Sequence, residues 1–396
     1  MRLPNSPELT EHARKQVLWA LLFGNFVIGT GVMLVPGSLN NISSALNVSV
    51  ASAGQLITWG AVLMCIGAPL FAAMVGGWDR RKLLAGSMVW YGLLHAVCAL
   101  APDFASVLTL RVLAMAAPAV FTPQAAAVAG LLVPPEQRGR AITMVFLGWS
   151  FASVVGAPLG AWMGGTLGWR TAFFVLAALA LLSSVWVWRA LPQGVRPPAL
   201  SRQLWRDTLS SKVLISAVAV TAISSAGQFV LFAYQAPFLA ASLLATPQMI
   251  AVYFAVFGVF GVLGSVTMSR QIDRWGAPRA VMVALALMAL SLLLWPLGST
   301  LVLICLVSVP WALGCFSCNS AQQARLVAIA PAVASVSIAL NTSAMYMGQG
   351  IGSAIGGMMI AQGHMAHLHW PGLAGLLAAM AVSGWAAALQ KQAPKT

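Results

Sequence analysis

Apolar stretches about 20 residues long, the length that crosses a hydrocarbon layer about 30 Å thick, recur along the whole chain, and almost every charged residue falls between them. Twelve such runs can be counted, near 17–38, 52–76, 83–101, 105–132, 140–164, 168–190, 213–240, 248–269, 280–298, 301–324, 333–361 and 371–390. Backbone donors and acceptors inside lipid must be satisfied within the segment, so runs of this length predict helices. Charged residues make up 7% of the chain, against about 25% in soluble domains. The expected fold class is an all-α membrane protein with twelve transmembrane helices.

The stretch between the sixth and seventh runs is rich in Pro, Arg and Ser and divides the chain into two sets of six. The expected organisation is a first bundle over 1–190, a cytoplasmic linker over 191–212 and a second bundle over 213–396. With the N-terminus placed inside, nineteen Lys and Arg fall in inner segments, Arg170 alone in an outer loop, and Arg111 within the fourth run. This bias predicts that both termini face the cytoplasm. The net charge of +14 punctuates the chain instead of forming one face, which argues against nucleic acid as a partner. No cleavable signal peptide is evident. The five cysteines lie in apolar runs and read as small packing residues. Asp79-Arg80 and Asp273-Arg274 close the second run of each half, which marks an internal repeat of parallel halves.

Gly148, Gly156, Gly160, Gly164 and Gly165 recur at intervals of mostly four or eight, with Pro158 among them. On a helix this spacing makes a stripe that a second backbone can approach closely. The stretch resembles the glycine-proline signature of fifth helices in antiporters of the major facilitator superfamily, with Ala157 where Gly is usual. GWRTAFF (168–174), the Asp-Arg loops and the order of the tenth and eleventh runs are also similar to that superfamily, and to its twelve-helix drug:proton antiporter branch of arabinose-efflux-like and sugar-efflux-like exporters. The resemblance implies two pseudo-symmetric six-helix bundles, alternating access, export across a bacterial inner membrane, proton antiport, a lipid bilayer and a small solute as partners, and a monomer. It implies no enzyme activity, no cofactor beyond a proton gradient, and no metal.

The resemblance assigns Asp79 and Arg80 to a latch at the inner gate, Asp273 to its weaker counterpart, and Gly156, Pro158 and Gly160 to an inter-helix seam. Asp79 could equally neutralise its neighbours and set topology. Arg111, in LTLRVLAMAAPAV, resembles the fourth-helix arginine linked to proton coupling. A charge within a span is costly and usually faces a cavity or a partner; the alternative is that Arg111 snorkels outward near Asp103. The first run lacks the acid that exporters of this branch often carry before Val-Pro-Gly, and no Asp or Glu remains in any span core. Uncoupled transport, or import of a neutral solute, therefore stays open beside antiport. His95 reads as a packed histidine before a proton relay.

Polar and aromatic residues of the expected cavity-lining runs are the substrate-facing candidates: Asn25, Thr30, Met33, Trp59, Arg111, Met115, Trp149, Gln228, Phe232, Gln235, Tyr253, Trp311, Asn319, Asn341, Tyr346 and Gln349. Helix packing is the competing reading for each. An apolar cavity with scattered amides suits a neutral or amphipathic ligand. His364, His367 and His369 have metal-like spacing but no nearby Cys or carboxylate, and Cys315-x-x-Cys318 lies inside a run; neither pattern predicts a metal centre. An enzyme would need ionisable groups clustered at one depth, and the runs supply only Arg111 and His95.

Overall fold

The computed structural model describes residues 10–75, 77–134, 137–196, 206, 208–330 and 334–392, except for the side chains of 72, 73, 139, 140, 269, 273, 334, 335, 391 and 392. The described residues are helical almost throughout. The helices are α1 (Glu11–Ala45), α2 (Val50–Met74), α3 (Arg80–Leu100), α4 (Phe104–Ala114), α5 (Ala116–Leu131), α6 (Arg138–Met163) and α7 (Trp169–Ala190) in the first half. The second half holds α8 (Lys212–Phe232), α9 (Gln235–Leu243), α10 (Pro247–Trp275), α11 (Ala277–Leu294), α12 (Leu301–Ile329), α13 (Ala334–Ala361) and α14 (His369–Gln392). Ten described stretches are long and apolar enough to span by length and hydropathy, with 141–190 counted as one run of 50 residues. That run is about 75 Å long at 1.5 Å per residue, too long for one crossing. It turns back at a π-helical turn, Gly164–Gly168, where Gly168 takes φ +85°. Counting it as two spans, and adding the Gly-, Asn- and Gln-containing α13, gives the twelve expected crossings.

Local chemistry sets the helix limits. Thr10, Ser49, Asp79, Asp103, Ser211, Thr246 and Thr300 each accept a backbone N–H of the first turn at an N-cap, which satisfies donors that the helix leaves unpaired. α1 runs past both ends of the apolar run at 17–38, because Thr10 caps it early and Ser38 and Ser43 bond to backbone carbonyls at its far end. The fourth span is broken between α4 and α5 at Met115, three residues before Pro118. The seventh is broken between α8 and α9, just before Pro237. Each proline lacks the N–H that would bond the carbonyl four residues back.

The two halves repeat one packing plan. α6 lies along α1, and α13 lies along α8. A Cβ on Gly148 would collide with the Leu22 carbonyl, one on Gly156 would meet Thr30 Cα at 3.0 Å, and one on Gly160 would collide with the Leu34 carbonyl. In the second half Gly348, Gly352 and Gly356 meet the carbonyls of Ala222, Ala226 and Val230 in the same way. Small residues thus let backbones touch where lipid supplies no hydrophobic drive. Gly165 is off this stripe: it faces Pro247 of α10, in the other half. Pro158 lies within α6 without ending it.

Contact between halves runs through α2 with α13 and α6 with α10, and through α1 with α9. Asn40 Nδ2 donates to the Ala236 carbonyl at 3.2 Å, Thr58 Oγ1 to Ser353 Oγ at 3.0 Å, and Ser353 Oγ to the Gly54 carbonyl at 3.4 Å. Gly258 of α10 packs on the backbone of Ser153 and Val154. These contacts lie between mid-depth and the far face, the face opposite the start of α1. An apolar core runs continuously through both halves, from Met33 and Leu39 to Phe254 and Trp295.

Candidate functional site: a cavity between the two halves

At mid-depth, on the near side of those contacts, lies a cavity of about 420 Å³, part of it open to solvent. The first half contributes Met33, Gly60, Met64, Arg111 and Met115 among others, and the second half Phe229, Phe232, Tyr346 and Gln349. Six sequence candidates meet here: Met33, Arg111, Met115, Phe232, Tyr346 and Gln349. The kink at Met115 puts both Arg111 and Met115 on the wall.

Arg111 is 3% exposed. Its Nη2 donates to the Gly31 carbonyl at 2.7 Å, and its Nη1 lies 2.6 Å from His95 Nε2. His95 Nδ1 is 2.7 Å from the Tyr91 carbonyl. A carbonyl only accepts and a guanidinium only donates, so Nδ1 holds its proton and Nε2 offers a lone pair. His95 is therefore the neutral Nδ1–H tautomer, wedged between Tyr91 and Phe173 with ring centroids at 4.2 and 5.5 Å. Arg111 Nε is buried without a partner. Asp103 does not serve Arg111: its carboxylate caps α4 through Ser106 N at 2.9 Å and Ser106 Oγ at 3.0 Å.

Seven of the other ten candidates form three groups outside the cavity. Trp149 Nε1 donates to Thr122 Oγ1 at 3.4 Å, Thr122 to Asn25 Oδ1 at 2.8 Å, and Asn25 Nδ2 to the Val145 carbonyl at 3.3 Å. This chain ties α1, α5 and α6 together. In the second half Asn341 accepts from Thr221 Oγ1 and donates to Asn319 Oδ1 at 3.4 Å, while Gln322 donates to Thr221 Oγ1 at 3.0 Å. Behind Phe232 stands an aromatic cluster: Trp311 lies 6.2 Å from Phe232 and 5.6 Å from Phe257, its Nε1 donates to Gln228 Oε1 at 3.4 Å, and the Tyr253 hydroxyl pairs with Ser308 Oγ at 3.0 Å. Thr30 is buried on the α1–α6 seam, its hydroxyl unpartnered.

Two candidates stand apart. Trp59 is 51% exposed, off the α2 face formed by Leu56, Ile57, Gly60, Ala61 and Met64. Gln235 is fully buried at the start of α9 with neither amide atom bonded. Sequence reading passed over Gly60, Met64 and Phe229. Their signal was positional: 60 and 64 share a helix face, as do 229 and 232.

Asp79 lies at the near face. Its carboxylate accepts Gly194 N at 2.6 Å and Lys82 N at 3.2 Å, and Arg80 Nη1 donates to the carbonyls of Val75 and Trp78 at 2.7 and 3.0 Å. Lys82, Val75 and Trp78 belong to the first half and Gly194 to the segment after α7; none of the four lies in the second half. Partial burial raises the Asp79 carboxyl, but the N–H groups of Gly194, Lys82 and Arg81 outweigh it and hold the group below its ordinary value. Asp273 lies on α10 near its end, its side chain outside the described residues. Among the described residues there is no cluster of metal ligands, and the five cysteines are free.

A family model described as Major Facilitator Superfamily matches residues 21–235. The chain is 30% identical over 346 residues to a chloramphenicol resistance protein of Streptomyces lividans, covering 85% of this chain and 86% of that protein. It is 28% identical over 348 residues to the inner membrane transport protein YdhP of Escherichia coli, covering 87% and 89%. Its backbone is similar to that of a bacterial homolog of the human lysosomal transporter Spinster, in an inward-facing and occupied conformation, with TM-score 0.73, 18% identity and 97% of each chain covered.

Proposed function

This chain belongs to the major facilitator superfamily, and from that premise we propose that it exports a small amphipathic organic solute from the cytoplasm by alternating access. Membership makes it a multi-pass membrane transporter and not an enzyme. Direction, solute and driving force are our reading. The single observation that carries it is the mid-depth cavity, walled by α1, α2 and the α4–α5 bend on one side and by α8 and α13 on the other. A site shared by two halves changes its opening when the halves rock.

Several features support the details. The nineteen-to-one bias of basic residues favours cytoplasmic termini in a bacterial inner membrane. The near face is then cytoplasmic, and the contacts at Asn40 and Thr58 close the periplasmic side. The bundles 1–190 and 213–396 are the moving bodies and 191–212 their tether, within a monomer. In this reading Asp79 and Arg80 fasten the near-face loop to the end of α7 while the cavity is open inward. The chloramphenicol resistance name of one relative favours export.

Proton antiport is what the resemblance implies. Uncoupled export is the second reading, favoured because all seven acids lie outside the span cores. Efflux from proteoliposomes of known orientation separates them. An imposed pH gradient accelerates antiport and leaves uncoupled export unchanged. Accumulation from the periplasmic side alone would refute export.

A further inference from the structure

Arg111 brings a full positive charge to the cavity wall, and no acid among the described residues answers it. The seven acids are Glu8, Glu11, Asp79, Asp103, Glu136, Asp207 and Asp273, all at or beyond span ends. Those whose bonds are described are engaged elsewhere: Glu11 pairs with Lys15, Asp103 caps α4 and Asp79 binds Gly194. The groups that hold Arg111, namely the Gly31 carbonyl, the neutral His95 and the Tyr91 hydroxyl beside them, carry no net charge. They fix the guanidinium without neutralising it, and they leave Nε–H buried and unbonded. A guanidinium offers five donors in one plane, suited to two oxygens of one oxyanion.

We propose that the transported solute is a monoanion whose carboxylate, or equivalent oxyanion, docks on Arg111 while its apolar body lies on Met33, Met64, Met115, Phe229 and Phe232. This rests on reading the cavity as the transport site. One cation in a wall with no other charged lining residue selects a single negative charge: a cation meets unshielded repulsion, and a dianion keeps a charge unpaired. His95 is a positioning residue, since it accepts from Arg111 and leaves the guanidinium its charge. A further consequence concerns energy. A monoanion leaving a cell whose interior is negative moves down the membrane potential, and each 100 mV supports about a 50-fold gradient. Such export needs no proton, in keeping with spans that lack a carboxylate.

The test uses the full-length protein in nanodiscs, titrated by calorimetry with benzoate, naphthoate and octanoate, each beside its primary amide and the corresponding amine. A charge-assisted pair predicts that a carboxylate which binds does so at least about tenfold tighter than its amide, with the amine weakest. Arg111→Gln reduces the carboxylate to the level of the amide and leaves the amide unchanged. The acid-to-amide comparison on the native chain stands even if that variant fails to fold. Equal binding of acid and amide, or binding of no acid, overturns the anionic assignment. The cavity reading fails separately, if Phe232→Ala alters the affinity of no compound that binds.

Discussion

Gly160→Val tests the glycine contact between α1 and α6 directly. A Cβ at 160 would sit 3.0 Å from Leu34 Cα and 3.1 Å from its carbonyl carbon, and would overlap the carbonyl oxygen. Carbon atoms rest about 3.5–4.0 Å apart, so the helices must separate by roughly 0.5–1 Å, which forfeits a quarter to a half of the attraction at each contact there. Overpacking of this kind costs about 1–3 kcal/mol. Helix propensity gives back little, because Val and Gly differ by only about 0.5 kcal/mol in a helix interior. The expected net loss is therefore about 1–3 kcal/mol. Gly86→Val is the control, since a Cβ on Gly86 in α3 meets nothing within 4 Å. Purified variants are heated in detergent and the folded fraction followed by size-exclusion chromatography. Gly160→Val melts earlier than the native protein, and Gly86→Val stays within the small effect expected at an open site. Equal melting of the two variants would refute the backbone-contact account of the seam.

Other perturbations test other parts of the molecule. Replacing Asn40 and Ala236 with cysteines should allow an oxidised cross-link at the far face that stops transport, restored by reductant; full transport with the link formed would show that this face need not open. His95→Ala removes the acceptor of Arg111 Nη1 and is expected to weaken solute binding by about tenfold, the worth of one charge-assisted hydrogen bond, while Trp59→Ala leaves transport unchanged. Asp79 has its carboxyl held below the ordinary 3.8. Its contribution to stability is thus complete above that value and lost as pH falls through the lowered one. Melting temperature is expected to be insensitive to this group between pH 5 and 8, and Asp79→Asn removes the part of the acid-induced loss below pH 4 that the carboxylate supplies.

The crossings were legible because lipid imposes a length and an apolar composition that few other environments require. Their positions followed the apolar runs to within a few residues at most ends, except at α1, whose polar caps carry it well beyond hydrocarbon. The spacing of Gly148, Gly156 and Gly160 likewise declared a close approach, though not which helix would supply it. The site was less legible. Trp59 was chosen for its chemistry and faces away, whereas Gly60 and Met64, chemically plain, line the cavity because of the side of α2 they occupy. His95 and Arg111 lie 16 residues apart on neighbouring helices, and only the assembled bundle brings their nitrogens together. Gly165 has the spacing of one more member of the stripe, but the turn after α6 sets it against Pro247 of the opposite half.

α6 holds two partners on two sides. One side is keyed into α1 through Gly148, Gly156 and Gly160; another bears on Gly258 of α10 through Ser153 and Val154, and just past its end Gly165 meets Pro247 of α10. The first joint is internal to a half, and the second is where the halves meet. In the proposed rocking of the halves this helix is an axle, fixed in one wheel and bearing on the other. Wear on either bearing shifts the second, so a bulky residue placed on the α10 side should disturb the alignment of Thr30 and Leu34 on α1, with no atom of the solute pathway touched.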